Sequence, residues 1–467
     1  MVFLCIFLPI VFLLHQVLPG ERSRNGMLLI AGVLFYAYGE PVYILLLIGS
    51  AAFNWAMALL IDRLAGSKKL LLAAAVTVNL LLLVIFKYAG FLTESANILF
   101  HINIPVPQIR LPIGISFYTF QAMSYVIDVY RGVDKAQKSW VKVLLYITFF
   151  PQLIAGPIVK YHDIAAEIDH RHASADDIHA GIRRFIIGLS KKVLIADTMA
   201  VAVDALYAAS GQQLGAALAW LGAVSYLFQI YFDFSGYSDM AIGMGRMFGF
   251  HFRENFDHPY VSSSIKEFWR RWHISLSGWF KEYLYIPMGG NRKGKARTVF
   301  NKVFVFLCTG IWHGANLTYL FWGAYHGLFM LLEETFPGIA GKRKTFVGKV
   351  LQHAATLLVV LIGFVFFRAA TMSQGCIVIR EMFTGWHMTA ASRSLLLMQL
   401  TPVYLVTLAA AVLFSMPHAW TAKISRGTEA GSGIADIAAD ILTMAALVLC
   451  MLSLASGTYH PFIYFQF

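Results

Sequence analysis

The sequence predicts an all-α, polytopic integral membrane protein. Of its 467 residues, 58% are hydrophobic and only 13% are charged. That is about half the charged share of a soluble domain. The apolar residues also gather into successive runs close to the ~20 residues a spanning helix needs. Such a chain cannot cover a water-facing surface with polar groups, and lipid is the solvent that suits it. A soluble core of this length would split into domains. A bundle of spanning helices need not, so residues 1–467 read as a single membrane-embedded domain.

The candidate helices follow in order. The first is MVFLCIFLPIVFLLHQVLP, which lacks a basic leader and a small-residue cleavage site, so it reads as a retained helix over 2–18. Further apolar runs cover 27–38, 41–61, 70–92, 112–130, 141–158, 181–206 and 214–233. The remainder cover 300–312, 315–334, 350–367, 399–416 and 435–456. Several are short or contain Pro and Gly, so some pair, tilt or re-enter, and about 10–12 crossings are expected. Residues 151–159, PQLIAGPIV, carry Pro151, Gly156 and Pro157. Non-helical backbone is expected there, buried in protein. Residues 418–434 look the most loop-like of the C-terminal third, and the terminal PFIYFQF is expected to dock on the bundle.

The stretch from about 251 to 299 is too polar to span and too aromatic for a free loop. Arg253 to Lys302 hold ten Lys or Arg against Glu254, Asp257, Glu267 and Glu282. This places the region on the cytoplasmic side. Its interleaved Phe268, Trp269, Trp272, Trp279, Phe280, Tyr283 and Tyr285 fit short helices in the membrane interface. A plain amphipathic surface helix accounts for the same composition.

The net charge of +12 has its simplest source in cytoplasmic loops facing anionic lipid. No basic and aromatic stripe lies outside the hydrophobic segments, so nucleic acid is not an expected partner. Cys5, Cys308, Cys376 and Cys450 are scattered and show no metal-ligand spacing. The chain also lacks a P-loop, a dinucleotide-binding glycine pattern and HExxH. No bound cofactor or metal is expected.

Polar residues inside a membrane are functional candidates by default. The foremost is His313, in TGIWHGANLTYLFWGAYHG at 309–327. A neutral imidazole suits a general base, and Gly314 permits close approach. A satisfied core histidine is the plainer reading of this position. His326 lies 13 residues on, which on one continuous helix points to the opposite face. His273 is the second candidate. Ser275 and Ser277 beside it invite a Ser–His reading, but there is no nucleophile elbow. Asp233 and Asp239 read as anchors of buried polar networks. Asp128 and Arg131 have the spacing of an i,i+3 pair.

Five segments resemble the membrane-bound O-acyltransferase family, in its bacterial branch of alginate O-acetyltransferases and D-alanyl transferases. They are LPIGISFYTFQAMSYVIDVYRG (111–132), FFPQLIAGPIVKY (149–161), QIYFDFSGYSDMAIGMGRMFGF (229–250), NFDHPYVSSSIKEFWRRWHISLSGWFKEYLYIPMGGNR (255–292) and GIWHGANLTYLFWGAYHG (310–327). They occur in family order over a core of 111–327, and FYAYGEP at 35–41 extends the likeness weakly. The resemblance implies a ring of tilted helices around a central tunnel. It implies that His313, of the WHG motif, is catalytic, and that His273, of the RWH motif, lines the tunnel from the cytoplasmic side. Asn316, Trp312, Trp272 and Arg271 are the expected substrate-binding residues, with Asn316 or His273 stabilising the oxyanion. An acyl thioester such as acetyl-CoA, or an acyl carrier protein, is the implied donor. The implied acceptor side is an exported polysaccharide or cell-wall glycan, or a second extracytoplasmic acyltransferase. The wording of FYAYGEP and IPMGGNR is closer to the acetyl-transferring members than to the D-alanyl ones. A bacterial plasma membrane is the expected location. A glycan or lipid transporter, or a scaffold, would share the spans and the basic face but not a need for His313.

Overall fold

The structure, a computed structural model, describes residues 1–467 except 337, 339–340, 342, 344, 418–432, 458–460 and 464–467. Most of the loop expected at 418–434 therefore lies outside the described residues. All regular elements among the described residues are helices. They form two compact units: residues 1–185 with 240–253, and residues 186–239 with 254–467.

The first unit opens with α1 (Phe3–Val17), α2 (Gly20–Gly39), α3 (Tyr43–Arg63) and α4 (Lys68–Phe100). It continues through α5 (Ile115–Arg131), α6 (Trp140–Thr148), α7 (Tyr161–Asp169) and the start of α8 (Ala175–Ser190). The expected break lies after α6. Residues 149–160 are non-helical and almost entirely buried. Their backbone polar groups find internal partners, as buried backbone must. Tyr146 Oη donates to the Val159 carbonyl (2.8 Å), and Gln152 Nε2 donates to the Tyr146 carbonyl (2.7 Å). Asp128 Oδ2 lies 3.0 Å from His162 Nδ1 and accepts from it when that nitrogen carries the proton.

The second unit holds α9 (Asp197–Ala208), most of α10 (Ala216–Met247), α11 (Ile265–Arg271) and α12 (Ile274–Phe280). Then come α13 (Lys295–His313), α14 (Leu317–Thr335), α15 (Phe346–Arg368) and α16 (Met372–Thr384). The last are α17 (Ala390–Gln399), α18 (Pro402–Phe414) and α19 (Ile434–Ala455). Asp233 and Asp239 anchor polar networks here. Lys192 Nζ lies 2.8 Å from Asp233 and 2.6 Å from Asp197, and Lys191 lies 2.6 Å from Asp239. The C-terminal segment docks on the same cluster: the Ile463 N–H donates to Asp233 at 3.0 Å, and the Phe462 ring meets Tyr237 edge-on.

Among the described residues, five helices are long and apolar enough to cross a membrane: α3, α4, α10, α15 and α19. The pair α17 and α18, bent by 66° at Pro402, makes a sixth if it is one span. The 10–12 expected crossings also include shorter apolar runs, which this criterion of length and composition passes over. α5 and α6 are 17 and 9 residues long. α13 has 19 residues but carries Lys295, Arg297 and Lys302 in its first two turns.

α13 and α14 form the closest helix pair around the site. Glycines set the distance. A methyl group at Gly310 would overlap the Tyr319 carbonyl and lie 3.3 Å from Gly323 Cα, and one at Gly323 would overlap the Phe306 carbonyl. Only a residue without Cβ permits this crossing. α14 then packs on α15.

Candidate active site

α13 ends at His313 because the next residues stop a helix and start another. Gly314 is extended (φ −174°, ψ 159°), and a side chain there would collide with the Tyr319 ring. Asn316 is the N-cap of α14, accepting the Thr318 N–H at 3.1 Å. Its amide nitrogen donates to the Ala370 carbonyl at 2.8 Å. The Asn316 side chain thus closes the break and straps it to the end of α15.

The His313 ring is 3% exposed and enclosed by aromatic faces. It meets Trp312 (4.9 Å between centroids), Trp322 (5.1 Å) and Phe367 (5.0 Å), all edge-on. Trp312 also packs against His273, with 6.1 Å between ring centroids. The two histidines, 40 residues apart in sequence, both pack on Trp312 and so belong to one ring cluster.

His273 sits between two seven-residue helices, α11 and α12, with φ of 44°. That left-handed conformation is costly for a residue with a side chain and needs support. Asn255 supplies it. Its Oδ1 lies 3.2 Å from His273 Nδ1 and accepts from Ser275 Oγ (2.8 Å) and the Ser275 N–H (3.2 Å), and its carbonyl accepts the Ile274 N–H. Burial pushes the His273 pKa down to about 3, so the ring is neutral at physiological pH. Ser275 aims its hydroxyl at Asn255 and lies 3.5 Å from His273 Nδ1, which is not the geometry of an activated nucleophile.

The other expected binding residues have structural partners. Trp272 is packed among Tyr231, Phe256, Tyr260, Phe268 and Phe364. Arg271 bridges Glu267 (3.0 Å) and Asp257 (2.9 Å). Burial would raise the Glu267 pKa, but the Ser263 N–H and hydroxyl and the Arg271 guanidinium outweigh it and hold the carboxyl below its ordinary value. Glu333 accepts the N–H groups of Ile265 (2.6 Å) and Lys266 (3.0 Å), a carboxylate on the N-terminus of α11. The basic segment is therefore a pair of short helices fixed to the end of α14.

His326 is where the tertiary structure departs most from the helical-face argument. The helix breaks between His313 and Leu317, so the two histidines belong to adjacent helices. Trp322 packs edge-on against both, at 5.1 Å from His313 and 5.2 Å from His326. His326 is wholly buried, and neither of its ring nitrogens has a hydrogen-bond partner among the described residues. The indole N–H groups of Trp269 and Trp322 are likewise unpartnered there. Trp322, Trp269, Phe367 and Asn255 were not expected at the site. The spacing of Trp322 and His326, four residues on one helix face, was the available signal for one of them.

The membrane-bound O-acyltransferase family matches residues 133–373, which include both histidines. The chain is 39% identical over its whole length to the probable alginate O-acetylase AlgI of Pseudomonas putida, covering 99% of that protein. It is 44% identical to the Pseudomonas aeruginosa protein of the same description, over 84% of this chain and 76% of the relative. It is 34% identical to the peptidoglycan O-acetyltransferase of Helicobacter pylori, over 81% of this chain and 78% of the relative. A buried imidazole at a broken helix, in an all-helical chain with multiple spans, accords with these matches, and the protein belongs to the membrane-bound O-acyltransferase family.

Proposed function

We propose that this protein moves an acetyl group from a cytoplasmic thioester, acetyl-CoA or an acyl carrier protein, to hydroxyls of an exported polysaccharide or cell-wall glycan at a bacterial plasma membrane. The relatives described as alginate O-acetylase and peptidoglycan O-acetyltransferase support acetyl as the group and a glycan as the destination. A second, extracytoplasmic acyltransferase is an alternative immediate acceptor.

The observation that carries the mechanism is His313 itself: an imidazole held at a helix break, walled by Trp312, Trp322 and Phe367. In the proposed reaction the acceptor hydroxyl attacks the thioester carbonyl while His313 takes its proton. The new carbon–oxygen bond forms, the carbon–sulfur bond breaks, and His313 returns the proton to the leaving thiolate. The aromatic walls exclude water and limit hydrolysis of the thioester. His273, neutral and packed on the same Trp312, lines the cytoplasmic approach. Direct transfer is favoured because Ser275 is turned towards Asn255.

The test compares ester-linked acetyl in the exported glycan in wild type, a deletion, and the deletion complemented by wild type or His313→Ala, with membrane abundance checked by blot. The expected result is loss of acetyl on deletion, rescue by wild type, and none by a well-inserted His313→Ala. Full rescue by His313→Ala would remove the catalytic assignment.

A further inference from the structure

His326 is a buried histidine that the proposed reaction does not use. It lies on α14, its side chain is wholly buried, and neither ring nitrogen has a hydrogen-bond partner among the described residues. Its ring meets two indoles edge-on, Trp269 of α11 and Trp322 of α14, each at 5.2 Å between centroids. The N–H of each indole is also buried and without a partner among the described residues. Three touching rings therefore hold polar atoms that no described protein group satisfies. One orphaned buried group costs about 1–3 kcal/mol. Native interiors pair such groups with protein or with internal water.

The three rings are chemically complementary. An indole N–H only donates, whereas a neutral imidazole has one nitrogen that donates and one that accepts. The other rings that meet Trp269 are Phe268, Phe306 and Trp322, and none of them accepts. Trp322 also meets Phe367 and His313. Among the described ring contacts, His326 is the one acceptor that meets both indoles. No direct bond joins these nitrogens. One water can accept both indole N–H groups and donate to the imidazole. It then makes three hydrogen bonds, the usual number for an internal water. Gly363 of α15 bounds the ring on another side, where an added methyl group would come within 2.6 Å of His326 Nε2.

The place of this cluster gives it consequence. Trp322 is also a wall of the His313 ring, at 5.1 Å. Trp269 stands four residues before His273, and its carbonyl accepts the Ser277 hydroxyl of α12 at 3.5 Å. The cluster thus joins the helix that follows the His313 break to the short helices that flank His273.

We propose that His326 is a positioning residue for acyl transfer: one internal water bonds its imidazole to the indole N–H groups of Trp269 and Trp322, and this fixes the Trp322 wall against the His313 ring. The proposal rests on the reading of His313 as the general base.

The test pairs NMR of the full-length protein in nanodiscs, with isotope-labelled tryptophan, with acetylation in deletion cells complemented by each variant. Trp269→Phe and Trp322→Phe assign the two indole N–H signals. In wild type both signals are expected to show magnetisation transfer from a water held inside the protein. In His326→Phe both are expected to lose it and move upfield. Ester-linked acetyl on the exported glycan, per unit of inserted protein, is expected to fall about tenfold or more in His326→Phe. It is expected to return to within about threefold of wild type in His326→Gln, which keeps a neutral donor and acceptor. A packing role alone gives the opposite order, because phenylalanine preserves the ring and glutamine does not. Gly363→Ala presses on Nε2 but removes no nitrogen, so it serves where His326→Phe does not insert; it is expected to shift the same two signals and lower acetylation. The proposal is overturned if the wild-type indole signals show no contact with water, if they are unchanged in His326→Phe or Gly363→Ala, or if a well-inserted His326→Phe acetylates as wild type does. Failure of the general-base reading is seen separately, as acetylation that persists in His313→Ala while the indole–water contacts stand.

Discussion

Adding one methyl group at the α13–α14 crossing should disable the enzyme without touching either histidine. At Gly310 the new Cβ would overlap the Tyr319 carbonyl oxygen and stand 3.3 Å from Gly323 Cα. Neither obstacle is a side-chain tip that can swing away, since both are backbone. The helices must separate by roughly an ångström, and overpacking of this kind costs about 1–3 kcal/mol. His313 is three residues beyond Gly310 on the same helix, so it moves with the crossing. A displacement of about 1 Å from productive geometry costs on the order of a hundredfold in rate. Gly310→Ala should therefore lower thermal stability in nanodiscs moderately and reduce acetyl transfer far more. Gly323→Ala should behave alike, and the double variant should lose less than the sum because both methyls open the same crossing. Gly26→Ala is the control: nothing lies within 4 Å of its added Cβ, and about 0.4–1 kcal/mol of stabilisation is expected. The measurements are melting temperature and initial rate of glycan acetylation on the same preparations. If Gly310→Ala and Gly323→Ala both keep wild-type melting and wild-type rate, the crossing does not position His313 and the reasoning fails.

Further perturbations have distinct readouts. Asn255→Ala removes the acceptor shared by His273 and Ser275, so the strained 273 backbone should relax, with protease sensitivity rising between α11 and α12 and activity falling at least tenfold. Lys192→Met leaves Asp233 and Asp197 without their buried counter-charge; breaking such a pair costs about 3–5 kcal/mol, visible as a lower melting temperature and weaker retention of the C-terminal segment bonded through Ile463. Glu267 has a depressed pKa, so its contribution to holding Arg271 is present above the ordinary glutamate value of 4.5 and is lost as pH falls through the lower folded value. Glu267→Gln should flatten the stability profile in that acid window and lower stability near neutrality, where the ionised carboxyl otherwise contributes. Asn316→Ala should fray the start of α14 and cost about 1 kcal/mol, whereas Asn316→Asp should keep the cap and lose only the bond to Ala370.

Much of the site was legible in the sequence because its chemistry is local. A histidine between a tryptophan and a glycine in an apolar run, followed by Asn316, states both a costly polar group and a helix stop. The Pro151–Val159 stretch announced buried irregular backbone through its prolines and glycine. The mixed aromatic and basic composition of 251–299 announced short helices, and α11 and α12 are seven residues each. Periodicity misled where it assumed continuity. Thirteen residues on an unbroken helix would have parted His313 from His326, yet the break at Gly314 returned both rings to Trp322.

The sequence by itself determined that the chain is helical, that it belongs in lipid, and which histidine is the foremost polar group in an apolar run. These follow from composition, run length and the residues on either side of one position. Only the tertiary structure decided that His273 and His313 both pack on Trp312, that Arg271 is held by Glu267 and Asp257, and that Asn316 straps the break to α15. The reason is physical: such contacts join residues far apart in the chain, and their geometry is set by how closely glycine-faced helices approach, which no local pattern encodes.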